Sequence, residues 1–514
     1  MSSTERSYFS WLVAAFLAVA TLAVYSRFGS QARLLHDDAI FAYGGQQMVR
    51  GIPPYVSIFD HKGPLTTILC GIAAWLGELF GMDSLSAMRR MFLAIGVGSV
   101  LAVFGLARSL FHSTRTGLLA GAMFLAFARF GYHAISGPRP KTAVVLFESI
   151  ALLCIVRRHW FAAGFSGALA GLVWQPTAVF AFAAVFLAGT MSEPGKKRKA
   201  LTSAVLGMAT PLLLTSGYFL WKGAFAEFFE GAVSFNLSYL SSPTSIRLHL
   251  FKIGEAIYEA NIGLGFPITF GLLCIGLMLP WRSRGKGLAN ALLRDRFACL
   301  FVTLPWPILW SLADFQGQPD FWVFLPFAAV GFAWPLDRAM KGMQSDVDWA
   351  PGKSVALWLL AAFTLIGGGL YVGSYHRSVE LPEQRSEVEA LLASFDEDDP
   401  ILFLGAPEAL VLGERRNITR YGFMMRGIDA LIEDTFEGGY DGWLDSLDRP
   451  AGAVVGRIVF RSIAPEPKAA LEGWLEANYE LDEDAPGQWL VYRRRVEISE
   501  VDPKHTQGSA DLVR

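Results

Sequence analysis

Asp37 and Asp38 stand side by side just after the first apolar run of the chain, and a charged triplet, Asp60–His61–Lys62, closes the same polar stretch at residues 34–65. Between the two groups Gly51, Pro53 and Pro54 force a turn, and Tyr55 follows. A carboxylate placed here can serve as a general base, taking the proton of an acceptor as a new bond forms. Two adjacent acids can instead hold a divalent cation. Lys62 is a compact cation able to pair with a phosphate at headgroup depth. The plainer reading is that Asp37 and Asp38 cap a surface helix beginning near Ala39.

The elements around this stretch are membrane helices. Of the 514 residues 53% are hydrophobic and only 18% charged, with a mean hydropathy of +0.37; soluble domains carry about 25% charged residues. A net charge of -2 gives no reason to expect nucleic acid as a partner. A span needs roughly 20 mostly apolar residues. The candidates are 8–28, 91–110, 117–131, 141–156, 200–221, 262–281, 297–313, 322–337 and 354–374, with 64–81 and 160–190 ambiguous. Basic clusters at Lys196–Lys199, from Arg282 to Arg296, and at Arg338 with Lys341 mark inner loops. Residues 29–62 then lie outside, and so does everything after 354–374. Pro176 interrupts 160–190, which favours two crossings there and about 11 spans in all, with 64–81 lying on or re-entering the outer surface. The first run, from Phe9 to Val24, reads as a retained helix rather than a cleaved leader.

Two domains are expected: a membrane domain over 1–375, with its first outer loop at 29–62, and an extracytoplasmic α/β domain over 376–514. The second segment is rich in Asp and Glu and alternates short apolar strands (401–404, 452–460, 489–492) with helices (383–395, 466–479). Cys70, Cys154, Cys274 and Cys299 all sit in apolar runs without metal-type spacing and read as small buried apolar residues.

The first outer loop resembles that of the C-type glycosyltransferases (GT-C), in particular the dolichyl-phosphate-mannose protein mannosyltransferase-like group. The shared features are the acidic pair followed by Ala39 to Tyr43, the turn from Gly51 to Tyr55, and Asp60–His61–Lys62–Gly63–Pro64. Asp38 stands where Glu is common, and Gly63 where a first Pro is common. Farther on, Gly164 to Gly171 followed by Trp174–Gln175–Pro176 is similar to a Gly-rich helix that ends in Lys–Pro in the family; Gln175 replaces that Lys. Gln316 to Pro326 is similar to the outer loop before a late apolar helix. The resemblance implies a membrane-embedded transferase that moves a sugar, mannose by the group's name, from a dolichyl- or polyprenyl-phosphate donor to a protein, lipid or glycan acceptor outside the membrane. It assigns Asp37 as the base with Asp38 as its neighbour, and Lys62 as a donor-phosphate contact. It adds no certain cofactor, and the acid pair permits a divalent cation.

Further residues are candidates on their own chemistry. Arg139 and Lys141, beside His133, can bind the donor phosphate if their loop is outside, and are topology charges if it is inside. Glu148 lies in the middle of an apolar run, where an acid is costly and functional by default. Tyr55, Asp60, His61, Asn236, Tyr239, Gln318 and Asp320 are candidates for binding substrate, with Asp314 beside them. Asn236–Leu237–Ser238 and Asn417–Ile418–Thr419 match the glycosylation acceptor pattern. A lipid or sugar transporter is the alternative reading, but transporters tend to show repeated halves and midplane charges. A non-catalytic scaffold leaves the polar set of 37–62 unexplained.

Overall fold

The computed structural model of the chain describes residues 3–238, 245–259, 261, 263–285, 287–342, 362, 366–369, 372–373, 377–448, 450–485 and 488–495. Helices fill the chain up to Gly342. In order they begin α1 (Ser3–Arg27), α2 (His36–Val49), α3 (Leu65–Leu79), α4 (Ser84–Phe111), α5 (Thr114–Leu125), α6 (Ala128–Ser136), α7 (Pro140–Val156), α8 (Trp160–Val173), α9 (Val179–Met191) and α10 (Lys197–Trp221). Polar residues set several of the boundaries. Asp83 caps α4 by accepting the Ser86 N–H at 2.9 Å, so this helix begins earlier than the apolar run at 91–110. Ser113 caps α5 in the same way through Thr116.

Fewer than the eleven expected spans have full length. Among the described residues five helices are long and apolar enough to cross a membrane, or six if the bent pair α5–α6, at 66°, forms one span. Proline is one reason. The run 160–190 divides at Pro176 into α8, a 3-10 turn over Gln175–Ala178 and α9, as its position predicts. Pro305 likewise divides 297–313 into Ala298–Thr303 and Pro305–Ala313. The 15-residue α3 is short for a crossing. The segment 354–374 lies mostly outside the described residues.

Small residues let the helices approach closely, as apolar surroundings require. A Cβ on Gly207 of α10 would sit 2.0 Å from the Phe161 carbonyl oxygen of α8, and one on Gly164 of α8 would sit 2.1 Å from that of Ala204. Larger residues would force these two backbones apart.

The C-terminal segment forms a four-stranded sheet of order β1-β2-β4-β3, with β1 (Ile401–Leu404), β2 (Gly452–Gly456), β3 (Tyr479–Asp482) and β4 (Trp489–Arg494). β1 and β2 are parallel, and the other pairs are antiparallel. β2 is shorter than its apolar run: the chain leaves the sheet after Gly456 and turns into a short helix, Val459–Ser462. The expected helices are present at Leu381–Leu392 and Pro465–Asn478. The segment packs onto α2 and its flanks. Gln384 brackets the Leu34 backbone, accepting its N–H at 2.8 Å and donating to its carbonyl at 3.1 Å. The Tyr43 hydroxyl accepts the Asn417 N–H at 3.0 Å, and Arg420 pairs with Glu230 at 2.6 Å.

Candidate active site

Helix α2 begins at His36 with Leu35 as its cap residue, and no side chain caps it. The capping reading of the acid pair is therefore corrected: Asp37 and Asp38 lie inside the first turn, where carboxylates are favoured by the helix dipole. Successive residues on a helix point about 100° apart, and the two acids part company accordingly. The Asp37 side chain is 46% exposed, that of Asp38 1%.

Arg139, immediately before Pro140 at the start of α7, reaches both acids. One terminal nitrogen lies 3.2 Å from Asp37 Oδ2, and the other donates to Asp38 Oδ1 at 3.1 Å. This guanidinium occupies the space between the carboxylates. Among the described residues no three His, Cys, Asp or Glu side chains are grouped to hold a metal, and the acid pair is engaged by Arg139 instead. Two residues on, Lys141 pairs with Asp320 Oδ1 at 3.1 Å, its Nζ 2.8 Å from the centroid of the Trp174 ring. Both partners are largely buried, and such a cation over an indole face is held by charge and by the ring quadrupole.

The loop 51–64 supplies the next wall. The Tyr55 hydroxyl donates to the Lys62 carbonyl at 2.6 Å, fixing the backbone beside that cation. Lys62 Nζ lies 5.3 Å from the centroid of the Phe41 ring. The His61 N–H donates to Asp60 Oδ1 at 2.8 Å, while its Nδ1 stays 3.4 Å from the same oxygen. The His61 carbonyl is held by two amides, accepting from Asn236 at 2.7 Å and from Gln175 at 2.9 Å. Gln175 thus replaces the family's Lys with a neutral amide engaged by backbone, since it also donates to Ala232 at 3.0 Å. A π turn over Glu230–Ser234 sets the register that aims Asn236 here.

Asp37, His61, Lys62, Arg139, Lys141, Asn236 and Asp320 line one cavity of about 210 Å³. Trp174, Gln175, Trp310, Asp314 and Gln316 also stand in its wall. Of these, sequence reasoning missed Trp174 and Trp310 as site residues: aromatic residues inside apolar runs look like lipid-facing or packing residues. Asp38, Tyr55 and Asp60 stand behind the wall and hold it. Glu148 and Gln318 are not part of it. The Glu148 carboxylate is buried within α7 with no hydrogen-bond partner among the described residues, and the same is true of the Gln318 amide nitrogen. His133 is buried against the Trp322 ring. Tyr239 lies outside the described residues. Neither glycosylation acceptor pattern offers a free amide: Asn236 is engaged as above, and buried Asn417 pairs with both backbone groups of Phe403. The four cysteines are unpaired, and three are buried.

The charges in this wall decide protonation. Burial works against ionisation of Asp37, but Lys62 and Arg139 outweigh it and hold the carboxyl below its ordinary range. For Asp38 the balance reverses, and complete burial raises its pKa despite Arg139. Burial of Asp60 is outweighed by contact with His61 and by Lys62, and its pKa is lowered. Burial also lowers the pKa of His61, leaving it neutral at pH 7.

No family model matches the chain. A dolichol phosphate-mannose mannosyltransferase of Haloferax volcanii is 22% identical over 358 residues, 68% of this chain and 72% of that protein. Among solved structures, the oligosaccharyltransferase AglB of Archaeoglobus fulgidus, in complex with an inhibitory peptide and a dolichol-phosphate, superposes on 97% of this chain and 75% of its own, with a TM-score of 0.59 and 12% identity. ArnT of Cupriavidus metallidurans bound to undecaprenyl phosphate superposes on 96% of this chain and 99% of its own, with a TM-score of 0.56 and 13% identity. The transporter alternative has no counterpart among these relatives. In sequence and fold the chain is thus similar to membrane glycosyltransferases of the C-type, and its long apolar helices make it a multi-pass membrane protein.

Proposed function

We propose that the chain transfers a sugar, mannose, from a polyprenyl-phosphate donor to an acceptor hydroxyl on the extracytoplasmic side, with Asp37 as the base. The observation that carries this reading is that Asp37, ionised and half-exposed, faces the same small cavity as Lys62, Arg139 and Lys141. A carboxylate opposite a group of cations is what a displacement at an anomeric carbon needs. The base takes the acceptor proton, and the cations stabilise charge on the departing phosphate. Asp38 orients Arg139 from behind, and Asp320 and Trp174 do the same for Lys141. Both are positioning roles.

A second cavity, about 250 Å³ and almost wholly apolar, is lined by Pro64, Leu172, Phe182, Leu212 and Val233 and meets the polar one at Gln175. It suits a polyprenyl chain whose phosphate reaches the cations. The relatives support the donor class: one is named a dolichol phosphate-mannose mannosyltransferase, and two solved neighbours hold dolichol-phosphate or undecaprenyl phosphate. With the N-terminus taken as inside, the basic run Lys196–Lys199 also falls inside. The loop 29–62 and the domain 376–514 that packs on it are then outside.

The test is transfer of radiolabelled sugar from a panel of polyprenyl-phosphate donors in membranes, comparing wild type with Asp37→Asn at matched expression. Loss of a general base costs about 10²–10⁴-fold, so label should reach an acceptor only with wild type. Equal transfer by both proteins would remove Asp37 from catalysis.

A further inference from the structure

Two cavities meet the first turn of α2. Asp37 lines the polar one described above, and His36 lines another, of about 370 Å³, on the side of the sheet. This second cavity sits at the carboxyl ends of the parallel strands β1 and β2, where open sheets commonly bind ligands. Gly405 follows β1 with a φ of +57°, and Gly456 ends β2. A Cβ on Gly456 would stand 2.0 Å from the Gly405 carbonyl oxygen, so glycine there lets the strand ends close into a floor. Trp489, the sheet partner of Gly456, and Gln488 complete that side.

The side chains that line it are chemically specific. Glu408 is only 3% exposed. Its Oε1 lies 3.4 Å from His36 Nδ1, but its Oε2 has no hydrogen-bond partner among the described residues. A buried carboxylate oxygen without a donor is costly, and a ligand hydroxyl would satisfy it. At the mouth stand Arg457 and Arg461, both exposed, and neither is ion-paired among the described residues. Their planar donor forks match a carboxylate or phosphate. The cavity therefore asks for hydroxyls within and a negative charge at its rim.

We infer that this cavity is the acceptor subsite and that its ligand is an acidic saccharide, with hydroxyls bonded to Glu408 and its acid group held by Arg457 and Arg461. The acceptor role rests on the transfer reaction proposed above, but the binding itself does not. His36 and Asp37 are consecutive residues of α2, so a saccharide seated against His36 has the proposed base one residue away, around the same helical turn.

The experiment measures binding to the full-length protein in nanodiscs by saturation-transfer NMR and thermophoresis. The probes are a glucuronic-acid disaccharide and its methyl ester. The free acid should bind at least about tenfold tighter than the ester, as one charge-assisted contact provides. The double variant Arg457→Ala/Arg461→Ala should erase that preference without disturbing folding, since both side chains are exposed. Glu408→Gln should weaken both probes. Absence of saturable binding, or binding indifferent to the arginine variant, overturns the inference. Donor-dependent sugar transfer is measured on the same preparations. Transfer without probe binding sinks the subsite alone, while probe binding in this pattern without transfer sinks the proposed reaction and leaves the subsite standing.

Discussion

Replacing Arg139 by alanine removes the guanidinium that bridges Asp37 and Asp38, and the two acids should respond differently. Asp37 faces an aqueous cavity and can be hydrated. Asp38, with its side chain 1% exposed, loses its ion-pair partner and keeps only the field of Arg89 against its burial. Breaking a buried pair from one side costs about 3–5 kcal/mol, most of it the stranded partner's desolvation. Neutralising that partner should therefore recover stability: Arg139→Ala/Asp38→Asn should unfold later than Arg139→Ala alone. In cycle form the two changes should couple by about 0.5–3 kcal/mol rather than add. Unfolding in detergent, followed by tryptophan fluorescence and by loss of helical circular dichroism, measures this directly. Arg139→Lys tests the same geometry kinetically, since one ammonium cannot serve both acids as two separate nitrogens do. Losing one hydrogen bond to a charged group, about 1.5–3 kcal/mol, should lower kcat/KM about 10- to 150-fold. A double variant no more stable than Arg139→Ala, together with an unimpaired Arg139→Lys, would refute the bridging role.

Two further outcomes follow from the same wall. Asp320→Asn strips Lys141 of its carboxylate partner and should raise the KM for donor by about tenfold or more, with a smaller effect on kcat, because a hydrogen bond to a charged group is worth about 1.5–3 kcal/mol; steady-state titration of donor separates the two. Lys62 and Arg139 lower the Asp37 pKa, so the proposed base is ionised above the ordinary Asp range of about 3.9 and loses its charge only below it. A pH profile of kcat/KM should accordingly show no acid limb between about pH 5 and pH 8, and an acid limb in that window unaffected by Asp37→Glu would point to His61 instead.

How far a site can be read from sequence depends on how near its parts lie along the chain. Asp37, His61 and Lys62 fall within one outer loop, so their concentration is visible without a fold. Arg139 and Lys141 come from a loop between later helices. There the nearly balanced basic residues allowed an inside or an outside reading, and only the contacts with Asp37, Asp38 and Asp320 bring them into the same wall. Trp174 and Trp310 are hidden by their own hydrophobicity. The capping reading failed for a local reason: the helix starts at His36, one turn earlier than Ala39 suggests. In the C-terminal segment, β1 and β4 were legible as apolar runs. β3, reading Tyr-Glu-Leu-Asp with only Tyr479 buried, was not, because an edge strand exposed on both sides loses the alternation that marks a strand.

The division of labour between two neighbouring aspartates shows why the residue type alone could not assign the base. Both carry the same carboxyl, and both touch Arg139. What separates them is the 100° step of the helix. It leaves Asp37 at the cavity, ionised by Lys62 and Arg139, and turns Asp38 into the interior, where burial raises its pKa. A base must meet its substrate, and of the two acids only Asp37 lines the cavity, which is what its proposed role needs. Asp38 keeps the guanidinium aimed at the place where a phosphate would arrive. His36, the third residue of this turn, faces the sheet and binds Glu408 instead. One helical turn thus has a residue at each cavity, and Asp38 holds Arg139 in the wall of the polar one. Under the proposed reaction, acceptor and donor would approach this turn from different sides, as an in-line displacement requires.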